Sequence, residues 1–309
     1  MTTIAPPVVR TKGSSSSSGG RSGSGSVTWM ALPAFVWFVL FGIIPLFGVL
    51  FLSFTTWNGI GDIEVTGLTS WKAALQDPGL PHALWVTFVI MALSWLVQTP
   101  MSILLGTFLA TSKRYRELLA VLFFIPLLLS SAAIAITFKA LLDPNFGLGA
   151  GLGIDALNQD WLGNSTLAVA TLIFIVSWQF IPFHTLIYQG AVRQIPTSMY
   201  EASQIDGAGR MRQFFSITLP QLKYTLITSS TLMVVGSLLF FDLIYLLTGG
   251  GPGDSTRTLA LEMYQTGFQA NLMGPASAIA VILVFVGLVL SLLFRRLGGR
   301  ADESQLEGV

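Results

Sequence analysis

The chain contains no cysteine, which excludes disulfides, thiolate nucleophiles and cysteine-based metal sites. Its two histidines, His82 and His184, stand far apart and lack metal-ligand spacing. No Gly-Lys pair occurs, so the phosphate-cradling G-x-x-x-x-G-K-[ST] loop that an ATPase needs is missing. The run Gly249-Gly250-Gly251-Pro252-Gly253 has the glycines but not the lysine, and reads as a turn. There is no nucleophile beside a base, no pair of hydrolase carboxylates, and no basic groove with stacking aromatics for nucleic acid. Catalysis by this chain, a cofactor or metal of its own, and nucleic-acid binding are therefore not expected. Charge is scarce as well: 10% of residues are charged, against about a quarter in soluble domains.

What remains is apolar. Of 309 residues, 52% are hydrophobic, which implies membrane lipid as the solvent. A span needs about 20 mostly apolar residues, and six runs qualify: 29–54, 84–110, 118–142, 167–188, 224–247 and 276–294. Lipid offers backbone N–H and C=O groups no partners, and the period-two alternation of a barrel is absent. The expected fold class is all-α and polytopic, with six transmembrane helices. With both termini placed inside, thirteen of the sixteen Lys and Arg residues fall on the cytoplasmic side, leaving Lys72, Lys139 and Arg257 outside. Residues 1–27, rich in Gly and Ser, have too little apolar surface to offset ordering and are expected to form a disordered cytoplasmic tail. A cleaved signal peptide is the rival reading of this end, but the apolar run after Thr28 is too long for one and no A-x-A site follows it. Residues 28–297 make the six-helix domain, with a cytoplasmic loop at 191–223, and residues 298–309 form a second cytoplasmic tail.

That loop is polar, basic and bracketed by prolines, yet it lies between two apolar runs. Pro196 ends what precedes it, and Ser198 with Glu201 reads as a capping box opening a short helix. Gly207 suits a left-handed stop, and a second short helix from Arg210 to Ile217 ends before Pro220. Met199, Tyr200, Ala202, Ile205, Phe214, Phe215 and Ile217 carry more apolar surface than the loop can hide, so part of it must dock on the spans or on a partner. The order Glu201-Ala202-Ser203, then Gly207 after three residues, then Ile217-Thr218-Leu219-Pro220 after nine more, resembles the EAA signature of permeases from ABC importers. Ser203 stands where the signature usually has a second alanine. The resemblance implies the type I ABC importer permease fold and a coupling helix seated on a separate ATPase, with Glu201, Ala202, Ser203, Asp206, Gly207 and Ala208 at the contact. Glu201 and Gly207 also have plain structural readings, as a helix cap and a helix stop.

Polar or kinked residues inside spans need protein or water around them. The fourth run supplies Trp178, Gln179, Phe180, Phe183 and His184 around Pro182, whose missing N–H leaves a carbonyl free and suggests a local break. The fifth run supplies Ser237, Phe240, Phe241, Asp242 and Tyr245, expected within little more than two turns of one helix. Hydroxyls, a carboxylate and aromatic faces suit a sugar. The stretch from Phe240 to Pro252 is similar to the corresponding segment of carbohydrate-uptake permeases like the large maltose permease. That resemblance implies a sugar site built from the spans flanking the EAA loop, near Phe180, Ile181, Phe183, Ser237 and Phe240. Asp242 as a ligand is a reading of the residues alone. The family further implies a second permease subunit, two ATPase subunits that hold ATP and Mg, and an extracytoplasmic solute-binding protein docking on outward loops such as 55–81 and 248–275. Its place is the bacterial plasma (inner) membrane. An amino-acid or peptide ABC permease is the alternative, followed by an ion-coupled secondary transporter, for which Lys139 and Asp242 are the main ionisable candidates.

Overall fold

The computed structural model describes residues 24–110 and 114–298. The two tails, apart from 24–27 and Gly298, lie outside the described residues. The chain divides into two compact units at Phe47/Gly48. In the first, α1 (Ser24–Phe38) runs into a π-helical turn (Val39–Ile43), where the rings of Trp37 and Phe41 stack 4.7 Å apart. The helix α2 (Ile44–Leu52) follows, and the apolar stretch Ala31–Leu52 is long enough to cross a membrane.

In the second unit, a two-residue strand pair, β1 (Thr55–Thr56) and β2 (Glu64–Val65), precedes α3 (Thr69–Gln76) and α4 (Gly79–Ala110). Then come α5 (Arg114–Leu128), α6 (Ser131–Leu141), the short α7 (Leu148–Leu152) and α8 (Ser165–Gln194). The loop contributes α9 (Thr197–Ile205), α10 (Arg210–Gln213) and α11 (Leu219–Gln221). The chain closes with α12 (Lys223–Leu238), α13 (Asp242–Leu247), α14 (Leu259–Tyr264) and α15 (Met273–Gly298).

All six apolar runs are helical, but not all are single rods. Four described helical stretches are long and apolar enough to span: Ala31–Leu52, α4, α8 and Met273–Leu297. The third run is two helices that meet at 96° between Leu128 and Ser131. Pro126 precedes the bend, and Ser130 caps α6 by accepting from the Ala133 N–H at 3.2 Å, which replaces a helical bond with a side-chain one. The fifth run breaks at Leu239–Phe241, between α12 and α13. Neither glycine nor proline lies at this break. Its stabilising contact comes from elsewhere in the chain, since the Thr258 hydroxyl donates to the Phe240 carbonyl at 3.4 Å.

The frame of this unit is the pair α4 and α8. Asn164 caps α8 by accepting from the N–H groups of Thr166 and Leu167. The two helices are in tight contact at Gly106, where a Cβ would stand 2.8 Å from the Cβ of Tyr188 and 3.1 Å from the backbone nitrogen of Gln189. Ser102 donates to the Ile181 carbonyl at 3.3 Å, and Gln189 and Arg193 donate to the carbonyls of Leu109 and Ala110. Contact through small residues and side-chain hydrogen bonds is what membrane helices rely on, because lipid removes the hydrophobic drive to associate. A buried cluster of Val86, Ile90, Ile134, Leu172, Ile175, Val176 and Ile244 joins α4, α6, α8 and α13.

Replacing Gly106 with valine is expected to force the two backbones apart at a cost of about 1–3 kcal/mol, typical of overpacking. A lowered thermal midpoint of the purified full-length protein checks this, and an unchanged midpoint would show that the contact is looser than its geometry implies.

Candidate functional site

The cytoplasmic-type loop folds as two short helices at a left-handed turn, but its start differs from the sequence reading. Pro196 is extended and α9 begins at Thr197, so Ser198 lies inside the helix and makes no cap; Glu201 is correspondingly too far along to close a capping box. The stop at Gly207 is as expected. With φ at +74°, Gly207 lets its own N–H reach the Gln204 carbonyl at 3.0 Å and the Ala208 N–H reach the Ser203 carbonyl at 2.8 Å, a Schellman pair. Pro220 does not terminate the second helix. A π-helical turn, Phe214–Thr218, carries the chain into α11, where Pro220 occupies a first-turn position that needs no N–H.

The two short helices are fastened to each other from within. The Gln213 amide donates to the Ser203 hydroxyl at 2.9 Å, and Tyr200 and Thr218 share a 2.9 Å hydroxyl contact. Phe214 packs on Ile103, Tyr188 and Leu222, tying the loop to α4, α8 and α12. The opposite face is open: Glu201, Ala202, Gln204, Asp206 and Gly207 are exposed, Ile205 is 87% exposed and Met211 is 71% exposed. Six coupling candidates thus share one helix and its terminal turn, with Ser203 spent on an internal bond and Ala208 half-buried.

The candidates from the fourth and fifth runs divide differently. The helix α8 is continuous through Pro182, so no break occurs there; the break lies in the fifth run instead. Ser237 is buried on α12 and donates to the Met233 carbonyl, whereas Asp242 opens the separate helix α13 and is exposed. The two are therefore not on one helix, contrary to the expectation from the fifth run. Phe180 and Phe240 face each other at 5.3 Å across α8 and the break, and Trp178 meets Phe138 of α6 edge-on at 5.4 Å. These four rings, with Phe241 and Tyr245, border the same buried cluster. Gln179 is buried with its carbonyl oxygen unpartnered, as are the hydroxyls of Ser177 and Thr185. His184 is buried and shares a 2.9 Å contact with Ser229, while Phe183 packs edge-on against its ring and is itself exposed.

Two residues missed in the sequence belong with these. Tyr264 lies 4.5 Å from Phe241 and 5.2 Å from Tyr245, and Phe268 stacks on Tyr264 at 5.3 Å. They come from the segment 248–275, expected to be an outward loop. Instead α14 and a π-helical turn (Gln265–Gln269) fold back into the protein, burying Leu259, Ala260, Leu261 and Glu262. The i, i+4 spacing of Tyr264 and Phe268 was the available signal. The Leu259 N–H donates to Thr87 of α4 at 2.8 Å, fixing the segment to the frame. Trp71 donates to Ser53 and Trp57 to the Gly61 carbonyl, so both hold the segment between α2 and α4 together.

At the root of this folded segment Glu262, 2% exposed, is paired with Arg257 at 2.6 Å and accepts from Thr266. Burial raises its carboxyl above the usual carboxylate range; the Arg257 guanidinium opposes the rise, and the carboxylates of Asp77 and Asp254 add to it.

Comparison with known proteins matches this architecture. Residues 99–303 fit the model of the family described as "Binding-protein-dependent transport system inner membrane component". The "Probable ABC transporter permease protein YurN" of Bacillus subtilis is 32% identical over 269 residues, covering 85% of this chain and 92% of the relative. The multiple sugar-binding transport system permease protein MsmF of Streptococcus mutans is 31% identical over 81% of this chain and 88% of its own length. Among solved structures, a chain of the bacterial alginate ABC transporter, in complex with alginate pentasaccharide-bound periplasmic protein, superposes with a TM-score of 0.77. It is 23% identical and the match covers 90% of this chain and 95% of that one. The protein is an ABC transporter permease with the type I importer fold. It belongs to the inner membrane components of binding-protein-dependent transport systems.

An acid with a raised folded-state pKa holds its proton more tightly when folded. Its contribution to stability is therefore present below the ordinary carboxylate value and is lost as pH rises through the raised value. Hydrogen-exchange protection of 259–269, corrected for intrinsic exchange, is expected to fall as pH rises across that interval, and Glu262→Gln to flatten the dependence. Equal pH profiles in both proteins would remove Glu262 as the cause.

Proposed function

We propose that this chain is one permease subunit of an ATP-driven carbohydrate importer, forming half of the translocation path. In this reading a second permease completes the path, two ATPase subunits hold ATP and Mg, and an extracytoplasmic solute-binding protein delivers the sugar. Both termini and the α9–α10 loop face the cytoplasm, where the excess of Lys and Arg falls. The chain itself is non-catalytic.

The observation that carries the coupling part is the exposed α9 turn. A helix and terminal turn whose outer face shows Glu201, Asp206 and an open Ile205, yet whose inner face is fastened to α4, α8 and the start of α12, is a projection whose outer face has no partner among the described residues. The carbohydrate part is supported by the aromatic rings around the helix break, with Asp242, Gln179 and the tyrosine hydroxyls beside them. Rings take the C–H faces of a sugar and the polar groups its hydroxyls. MsmF, by its name, serves a multiple sugar-binding system, and the superposed transporter carries alginate. On this reading Trp178, Gln179, Phe180, Phe183, His184, Ser237, Phe240, Phe241, Asp242 and Tyr245 lie along or beside the sugar path, with Tyr264 and Phe268 at its outer end. Ion coupling finds little support: α4, α8, α12 and α15 contain no Asp or Glu.

ATP-dependent uptake of labelled oligosaccharide by vesicles carrying the whole assembly, with ionic gradients collapsed, tests the reading. Uptake that ceases with the gradient and ignores ATP would overturn it. Within that assay Glu201→Gln is expected to lower uptake about tenfold or more, since a hydrogen bond to a charged group contributes about 1.5–3 kcal/mol. Wild-type uptake with normal ATPase stimulation would show that Glu201 makes no charged contact.

A further inference from the structure

The inner side of the α9–α10 projection is not fully packed. Between it and the ends of α4 and α8 lies a cleft of about 770 Å³, within the range of small-molecule sites. Among the described residues that line it, two are arginines, Arg193 from the last turn of α8 and Arg210 from the first of α10, and none is acidic. Glu201 and Asp206 are on α9 but not on the cleft wall. The Nε of Arg193 donates to the Ala110 carbonyl at 3.2 Å, and its terminal nitrogens have no protein partner among the described residues. The Arg210 side chain has neither a hydrogen bond nor an ion pair among the described residues, and its backbone carbonyl accepts from the Phe214 N–H. Two cations on one cleft, with no counter-charge among the described lining residues, leave a place for an anion, and a phosphate that reached both would accept several charge-assisted hydrogen bonds.

The rest of the wall decides what carries the phosphate. Phe108, Val192, Ile195 and Phe214 line the same cleft, giving it an apolar side that an inorganic ion cannot use. Ala110 and Gln194 end the two long apolar helices, so the cleft lies at the level where headgroups meet acyl chains. Basic pockets between helices on the cytoplasmic side of a membrane are suited to anionic headgroups. We propose that this cleft binds the phosphate of an anionic phospholipid, with Arg193 and Arg210 on the headgroup and Phe108, Val192 and Phe214 against the upper acyl chains. The lipid would bridge α8 to α10 behind the projection and stiffen the joint through which the projection meets the spans. The proposal is independent of which solute is carried.

The test uses the purified full-length protein in its assembly, in neutral detergent. Phosphatidylglycerol, phosphatidylcholine or inorganic phosphate is added, and bound lipid is counted by native mass spectrometry alongside the thermal midpoint. The wild type is expected to retain phosphatidylglycerol and gain thermal stability from it, with no comparable effect of phosphatidylcholine or phosphate. Arg210→Gln is expected to weaken phosphatidylglycerol retention about tenfold, roughly the 1.4 kcal/mol of one charge-assisted contact. Arg210→Lys, which keeps the charge but not the fork, should retain an intermediate share. Because Arg193 also donates to Ala110, Arg193→Gln is read only against its own midpoint in phosphatidylcholine. Wild-type retention of phosphatidylglycerol by Arg210→Gln and Arg193→Gln would overturn the site. Protection by inorganic phosphate equal to that by phosphatidylglycerol would overturn the assignment to lipid.

Discussion

The rest of the second unit depends on the backbone approach of α4 and α8 at Gly106. Any Cβ there would meet Tyr188 and the backbone beside it, so the two helices can run this close only because residue 106 has none. The approach lets Gln189 and Arg193 reach the terminal carbonyls of α4. Carbonyls in the last turn of a helix lack intrahelical donors, and these side chains supply them. With both helix ends locked together, the chain leaves α8 at Ile195 in a fixed direction, and α9 starts two residues later. The position of the exposed turn is thus set by packing inside the bundle and not by the loop's own sequence.

Helix placement was legible in the residues wherever local chemistry decides it. The six apolar runs become helices, because a run of such length in lipid has no other way to satisfy its backbone. Gly207 stops α9 because φ there is positive, which any residue with a Cβ resists. What could not be read were features imposed by distant partners. The break at Leu239–Phe241 falls in a sequence with neither Gly nor Pro, and Thr258, eighteen positions downstream, supplies the hydrogen bond to the freed Phe240 carbonyl. Pro182, which did suggest a break, sits in an unbroken helix. Ser198 had the right spacing for a capping box but lost to Pro196, whose fixed φ starts the helix two residues earlier than a serine cap would.

The candidate site was legible in part for the same reason. Glu201, Asp206 and Gly207 share an element because they lie within seven residues on one short helix and its stop. The aromatic groups do not share one. Phe240 and Phe241 are adjacent in sequence, yet the break turns the first toward Phe180 and the second toward Tyr245 and Tyr264. Tyr264 and Phe268 join the set only because α14 folds back against Thr87, a contact across more than a hundred and fifty residues that no local pattern encodes.

Rigid and compliant parts alternate along the route from the exposed turn to the rings. From Gln194 back to Phe180, α8 is continuous over about 21 Å at 1.5 Å per residue. Phe180 meets Phe240, which belongs to no helix, lying in the gap between α12 and α13. A gap held by a few turn-type backbone bonds and the Thr258 hydroxyl yields more readily than a helix held by a full ladder of backbone bonds. Movement of α8 would therefore be taken up at Leu239–Phe241, and the rings on either side of that gap are the first to change their spacing. The two π-helical turns, Phe214–Thr218 beside the exposed loop and Gln265–Gln269 beneath the outer aromatic pair, place further wide hydrogen-bonded turns at the two ends of the same route.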